Sequence, residues 1–70
     1  MDILDIIAAA RTTSNNWVGQ LTSGKTQAIL TFATFSAAHE VAYLLEKAGA
    51  WVTMEESAYG ETILTATWVN

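Results

Sequence analysis

The middle of the chain carries a helical repeat of apolar residues that lies directly between two β-rich runs. Ser36 precedes the repeat as a candidate N-cap, and Gly49 follows it where a glycine commonly ends a helix. Because the link from the preceding run is short, we expect this helix to cross over between two strands that run parallel. The inner face of the predicted helix consists of Ala38, Val41, Ala42, Leu45 and Ala48.

The β-rich run before this helix has the pattern of a hairpin. Residues 17–22 and 25–35 flank Ser23-Gly24, a two-residue connection that suits a type I′ turn. A turn centred there pairs Thr22 with Lys25 and Trp17 with Leu30. The predicted core face of this hairpin holds Trp17, Gly19, Leu21, Ala28, Leu30 and Phe32.

The β-rich runs after the helix, residues 50–56 and 61–69, form a second predicted hairpin. A two-residue turn at Tyr59-Gly60 pairs Trp51 with Trp68, whereas a four-residue loop pairs Met54 with Ile63. Both alternatives give the same two faces. One face holds Trp51, Leu64, Ala66 and Trp68, and the other holds Val52, Met54, Ile63 and Val69.

A short helix is predicted over residues 3–11, between Asp2 as N-cap and Arg11 in the last turn. Together these elements predict one compact α+β domain over residues 1–70, in the order α-ββ-α-ββ. We expect a two-layer sandwich in which two helices cover one face of a four-stranded, mostly antiparallel sheet.

The small size of the chain predicts self-association. A domain of 70 residues buries little apolar surface, and with no Cys and one His it has neither a disulfide nor a structural zinc site to supplement its core. Only 14% of the residues are charged, which leaves apolar area for contact with another chain. The predicted interface residues are Trp51, Leu64, Trp68, Trp17, Tyr43 and Tyr59. The alternative is a core that absorbs all three Trp rings.

The charge pattern argues against several partners. Arg11, Lys25 and Lys47 are the only strongly basic residues in a chain of net charge −4, so no basic stripe is available for nucleic acid. No apolar stretch is long enough to span a bilayer, and the start Met1-Asp2-Ile3 does not read as a signal peptide. We therefore expect a cytoplasmic protein, in the host cytoplasm if it is viral.

Two groups of polar residues are candidates for chemistry. Ser36, His39 and Glu40 are of the types that form a catalytic triad, but their spacing is better explained by helix capping and a solvated first turn. His39 and Glu46 mark a polar site on the outer face of the same helix, for which a solvated surface is again the favoured interpretation. We expect no catalytic residues, no metal and no cofactor.

The layout of residues 36–69 resembles the C-terminal half of the small bacterial sulfur-carrier family, in which a helix ends in Gly and leads into two strands. That family works through a Cys at the start of a helix. This chain has no Cys, so the resemblance carries no activity.

The leading functional hypothesis is a non-enzymatic, homo-oligomeric protein-binding module that inhibits or modulates a larger partner, as phage host-takeover and anti-defence proteins do. The alternative hypothesis is an oligomer that binds or sequesters a nucleotide or metabolite in a pocket between chains, lined by Trp, Thr and Tyr.

Overall fold

The computed structural model describes residues 2–14, 16–22 and 24–69, and for residues 16–18 and 20–22 it describes the backbone alone. Helices and strands alternate in pairs along the chain. In order they are α1 (Ile3–Arg11), β1 (Asn16–Thr22), β2 (Lys25–Phe32), α2 (Phe35–Lys47), β3 (Trp51–Glu56) and β4 (Thr62–Val69).

All strand pairs of the sheet are antiparallel, and the strand order is β1-β2-β4-β3. The strands with described side chains form a three-stranded antiparallel unit, β2-β4-β3, and the backbone of β1 pairs along the outer edge of β2. The predicted fold class is therefore wrong in its sheet. The strands with described side chains number three rather than four, and every strand pair is antiparallel rather than most of them. β2 and β3 do run parallel, but β4 lies between them, so α2 passes over β4 in a split β-α-β arrangement. β4 suits the inner position because each of its residues is apolar or Thr.

The first hairpin has the predicted register. Trp17 pairs with Leu30 and Thr22 with Lys25, and Gly24 has a φ of 73° in the connecting turn. The other turn residue, Ser23, lies outside the described residues.

The second hairpin has a five-residue connection, residues 57–61, and Ser57 organises it. The Ser57 backbone N–H donates to the Glu61 carbonyl at 2.8 Å, and the Gly60 N–H donates to the Ser57 carbonyl at 3.1 Å. The Ser57 hydroxyl oxygen also accepts from the backbone N–H groups of Tyr59 and Glu61, each at 3.2 Å. These hydrogen bonds fix the length of the loop at an odd number of residues.

This odd loop length reverses the predicted faces of β3. Met54 pairs with Leu64 and Trp51 pairs with Thr67, so both predicted registers are wrong by one residue. Since side chains alternate between faces, a shift of one residue moves a whole strand's side chains to the other side of the sheet. Trp51 therefore lies on the face opposite to Leu64 and Trp68.

The second helix begins two residues earlier than expected and is capped by Thr34 rather than Ser36. Thr34 has extended backbone angles, and its hydroxyl oxygen accepts from the Ala37 N–H at 3.3 Å. At the other end, Gly49 has a φ of 103°, a conformation that side chains disfavour. Hydrogen bonds from Gly49 N–H to the Glu46 carbonyl and from Ala50 N–H to the Leu45 carbonyl complete a Schellman motif.

We expect Thr34→Ala to lower the free energy of unfolding by about 1 kcal/mol, because the Ala37 N–H loses its acceptor. The matched change Ser36→Ala lies inside the first turn and is expected to cost less than about 0.5 kcal/mol. Urea denaturation followed by circular dichroism measures both variants. A larger loss for Ser36→Ala than for Thr34→Ala contradicts this assignment of the cap.

The core lies between the helices and one face of the sheet. Leu30, Phe32, Leu45 and Leu64 are its largest fully buried side chains. Ile6 and Ile7 of α1 join the same cluster, and α1 also packs on α2. Both helices thus cover one face of the sheet, and the opposite face is left to the surface.

Candidate binding surface

The sheet face away from the helices, called here the uncovered face, is formed by alternate residues of β2, β4 and β3. Among the described residues, none of these side chains belongs to the core cluster that packs against the helices. β2 contributes Lys25, Gln27, Ile29 and Thr31, and β3 contributes Trp51, Thr53 and Glu55. β4 contributes Ile63, Thr65, Thr67 and Val69.

Apart from Lys25, Gln27 and Glu55, the side chains of the uncovered face are apolar or are those of Thr. Trp51 and Val69 are 60% and 62% exposed, while Ile29 and Ile63 are half-buried between their neighbours. β-branched residues fill most other positions because they pack well on a pleated surface. A contiguous surface of this kind on a small protein indicates a site of contact with another molecule.

The uncovered face has almost no net charge. Its charged residues are Lys25 and Glu55, which lie at opposite ends because Lys25 pairs with Val69 and Glu55 pairs with Ile63. The other six of the seven acidic residues lie on the helices, at the N-cap of α1, in the β3–β4 loop or on the helix side of β3. The chain's net charge of −4 is therefore carried elsewhere.

Two contacts between side chains help to order this face. The Lys25 Nζ lies 6.0 Å from the centroid of the Trp51 ring, within the range of a cation–π interaction. The Gln27 amide nitrogen donates to the Thr67 hydroxyl at 3.4 Å, which links β2 to β4. Trp51 thus has a cationic neighbour on this face, although the residue is 60% exposed.

The structure separates the predicted interface residues. Trp51 lies on the uncovered face, but Leu64 is fully buried and Trp68 is only 8% exposed, both under the helices. The placement of Leu64 and Trp68 on an outward face is therefore wrong, for the reason of register given above. The side chain of Trp17 lies outside the described part of the structure.

The two predicted tyrosines are exposed but lie away from the uncovered face. Tyr43 is on the solvent side of α2, with the Lys47 Nζ 5.2 Å from its ring centroid. Tyr59 is in the β3–β4 loop and is 90% exposed. Their part in an interface stays a prediction.

The polar residues singled out for chemistry are exposed along α2 and do not form an assembled site. His39 packs against Phe35, with ring centroids 5.6 Å apart, and no hydrogen bond to Ser36 or Glu46 is found among the described residues. Across residues 2–14, 16–22 and 24–69, no group of three His, Asp or Glu side chains is arranged to hold a metal. His39 and Glu46 therefore remain separate surface residues.

Sequence reasoning did not place Ile63 and Val69 beside Trp51. The signal that could have done so is the Thr pattern, because pairing Thr53 with Thr65 across the hairpin gives the observed register. That pairing places Thr53, Thr65 and Thr67 on one face. Because side chains alternate along a strand, Trp51, Ile63 and Val69 lie on the same face.

Within the described segments, no helix is both long enough and apolar enough to cross a membrane. Comparison with known proteins gives no relative: no family model, curated protein or solved structure matches this chain.

Proposed function

We propose that this chain is a non-enzymatic binding protein that self-associates through its uncovered face and modulates a larger partner in the cytoplasm. The observation that carries the proposal is the neutral, apolar uncovered face around Trp51, which no described element covers. Removing such a surface from water is favourable, so a second molecule gains free energy by covering it.

The dimensions of the uncovered face are those of a weak, reversible dimer. Eight-residue strands at about 3.3 Å per residue and three strands at about 4.8 Å give a face of roughly 380 Å². Two such faces bury about 800 Å² in total, which is in the range of weak and transient contacts. This area supports a dimer that forms and separates with concentration.

The charges on the uncovered face favour a second copy as its occupant. A face without net charge packs on its own copy without repulsion, although the whole chain is acidic. A two-fold axis that runs across the strands brings Lys25 of one copy to the end of the other copy that carries Glu55. The same symmetry places the two Trp51 rings toward opposite ends of one interface, because Trp51 lies at the Lys25 end of each copy.

The size of the chain supports the same conclusion. A domain this small has a thin core and contains no Cys for a disulfide. Stacking two sheets face to face supplies a second apolar layer, as in a β-sandwich. Self-association therefore stabilises the fold as well as creating the binding unit.

Isotope-filtered nuclear Overhauser spectroscopy on a mixture of labelled and unlabelled chains tests this proposal. We expect intermolecular contacts between the Trp51 ring and the methyl groups of Ile29, Ile63 or Val69. These groups share one face, so a face-to-face dimer brings them within a few ångströms of the other copy.

The helix surface provides the internal control for that experiment, because Leu4 and Leu44 are also exposed apolar residues. Intermolecular contacts confined to Leu4 and Leu44 assign the interface to the helices and contradict the proposal. The absence of any intermolecular contact at high concentration contradicts it as well.

A further inference from the structure

A groove of about 290 Å³ lies on the helix side of the molecule, between α1 and α2. Ile6 of α1 is buried and Ala48 of α2 is half-buried, and these two residues form the floor. Tyr43 and Leu44 form one rim and are 57% and 43% exposed. The groove is therefore an apolar depression that is open to water, on the side of the sheet opposite to the uncovered face.

Lys47 is the charged residue of the lining. Its Nζ lies 5.2 Å from the centroid of the Tyr43 ring, within the range of a cation–π interaction. The ammonium group is thus placed beside the Tyr43 rim, and the floor of the groove stays apolar.

The helix layer around the groove, residues 2–11 and 35–48, carries an excess of acidic residues. They are Asp2, Asp5, Glu40 and Glu46, and all four are exposed. The basic residues of the layer are Arg11 and Lys47, so its formal net charge is −2. Glu40 lies one helical turn before Leu44, which places its carboxylate along the rim of the groove.

This charge separates the helix layer from the uncovered face. The uncovered face has one Lys and one Glu and no net charge, which suits a second copy of the chain. Two acidic helix layers repel each other, whereas a basic surface is attracted to this layer. The charge therefore favours a different, basic molecule as the occupant of the groove.

The shape of the groove favours a helix as that molecule. α1 packs beside α2, and the groove between two packed helices accepts the apolar side chains of a third. α1 has nine residues and is about 14 Å long, which corresponds to roughly two and a half turns of a partner helix. An amphipathic helix that carries Lys or Arg beside its apolar face matches both the floor and the charge.

We infer that the groove between α1 and α2 binds a basic amphipathic helix of another protein. Apolar side chains of this helix cover Ile6 and Leu44, and its Lys or Arg side chains lie beside the carboxylates of the helix layer. The inference names the surface that contacts the larger partner, and it rests on the proposed function for the existence of that partner. It does not depend on self-association, because the uncovered face lies on the other side of the sheet.

Fluorescence anisotropy of labelled synthetic peptides, titrated with the full chain, tests this inference. The probe is a helical peptide of about 15 residues with Leu on one face and Lys on the other, and the matched peptide has Glu in place of Lys. We expect the Lys peptide to bind at least about tenfold more tightly at low salt. Equal binding of the two peptides overturns the inference.

A pair of apolar variants locates the binding on the molecule. Leu44→Ala is expected to weaken the Lys peptide about tenfold, because it removes part of the apolar rim. Val69→Ala shortens an equally accessible side chain on the uncovered face and is expected to leave binding unchanged. An equal loss in the two variants overturns the site, and so does a loss of self-association in Leu44→Ala, which assigns the groove to a second copy.

A pair of charge variants separates the groove from the net charge of the chain. The double change Asp5→Asn with Glu40→Gln is expected to weaken the Lys peptide about tenfold. Glu55→Gln with Glu56→Gln removes the same charge at the end of β3 and is expected to change binding less than twofold. Equal losses mean that net charge alone attracts the peptide, which contradicts a site at the groove.

The variant Thr65→Lys distinguishes this inference from self-association, because it places a charge in the middle of the uncovered face. We expect it to bind the Lys peptide as the wild type does. Loss of peptide binding in Thr65→Lys assigns the peptide to the uncovered face and overturns the inference, while the proposed dimer is judged separately by its own measurements.

Discussion

Replacing Trp68 with Ala is expected to leave most of the molecules unfolded at room temperature, whereas the same change at Trp51 leaves the fold intact. Trp68 is 8% exposed and belongs to the core cluster, while Trp51 is 60% exposed on the uncovered face. Removing a buried Trp side chain costs about 3–5 kcal/mol. A domain of this size has about the same amount of total stability, so the loss is not tolerated.

Urea denaturation followed by far-ultraviolet circular dichroism checks both variants. The protein is kept at low concentration, because a dimer that binds only folded chains raises the apparent stability of the wild type. Under these conditions Trp51→Ala is expected to change the free energy of unfolding by less than about 1 kcal/mol. The opposite result, an unfolded Trp51→Ala beside a stable Trp68→Ala, means that β3 and β4 are displaced by one residue from the register described.

Replacing Thr65 with Lys is expected to abolish self-association without unfolding the chain. Thr65 is half-buried near the middle of the uncovered face and pairs with Ile29 and Thr53. In a face-to-face dimer the change buries an unpaired charge from each copy, which costs about 3–5 kcal/mol. This cost raises the dissociation constant of the dimer by about 100-fold or more. In the free chain the Lys stem lies along the sheet and its ammonium group stays in water.

Light scattering of Thr65→Lys beside Ala58→Lys measures this effect. Ala58 is exposed in the β3–β4 loop, so the control adds the same charge away from the uncovered face. We expect Ala58→Lys to associate like the wild type, and circular dichroism to show that both variants are folded. If both variants associate normally, the uncovered face is not the interface.

Local sequence signals were sufficient for much of the fold. The bounds of α1, the register of the first hairpin and the inner face of α2 each depend on residues that are close in the chain. The Gly49 position also ends α2 as the pattern predicts, because only a glycine adopts its positive φ without strain.

The features that the sequence did not predict depend on residues that are distant in the chain, or on a choice between nearby residues that suit the same role equally well. Thr34 and Ser36 are both good N-caps, and which of them caps α2 depends on where β2 ends. The loop after β3 has several turn-forming residues, and only the hydrogen bonds of Ser57 determine its length. Strand order was equally undetermined, because β3 and β4 both carry apolar residues on each face.

The error in the predicted length of the β3–β4 loop also affected the predicted interface residues. An error of one residue in the β3–β4 register grouped Leu64 and Trp68 with Trp51, so two core residues were predicted as interface residues. The prediction that some apolar face is left uncovered rests on the expectation that two short helices cover only one side of the sheet. This expectation does not depend on the register of the strands. Trp51 was the correct exposed ring on that face, although its predicted neighbours were not.

Sedimentation velocity of the wild-type chain, from low to high micromolar concentration, tests self-association through the uncovered face most directly when Thr65→Lys is run beside it. We predict that the wild type moves from the mass of one chain to the mass of two as the concentration rises, while Thr65→Lys stays at the mass of one chain. A wild type that remains a strict monomer at high micromolar concentration contradicts the account.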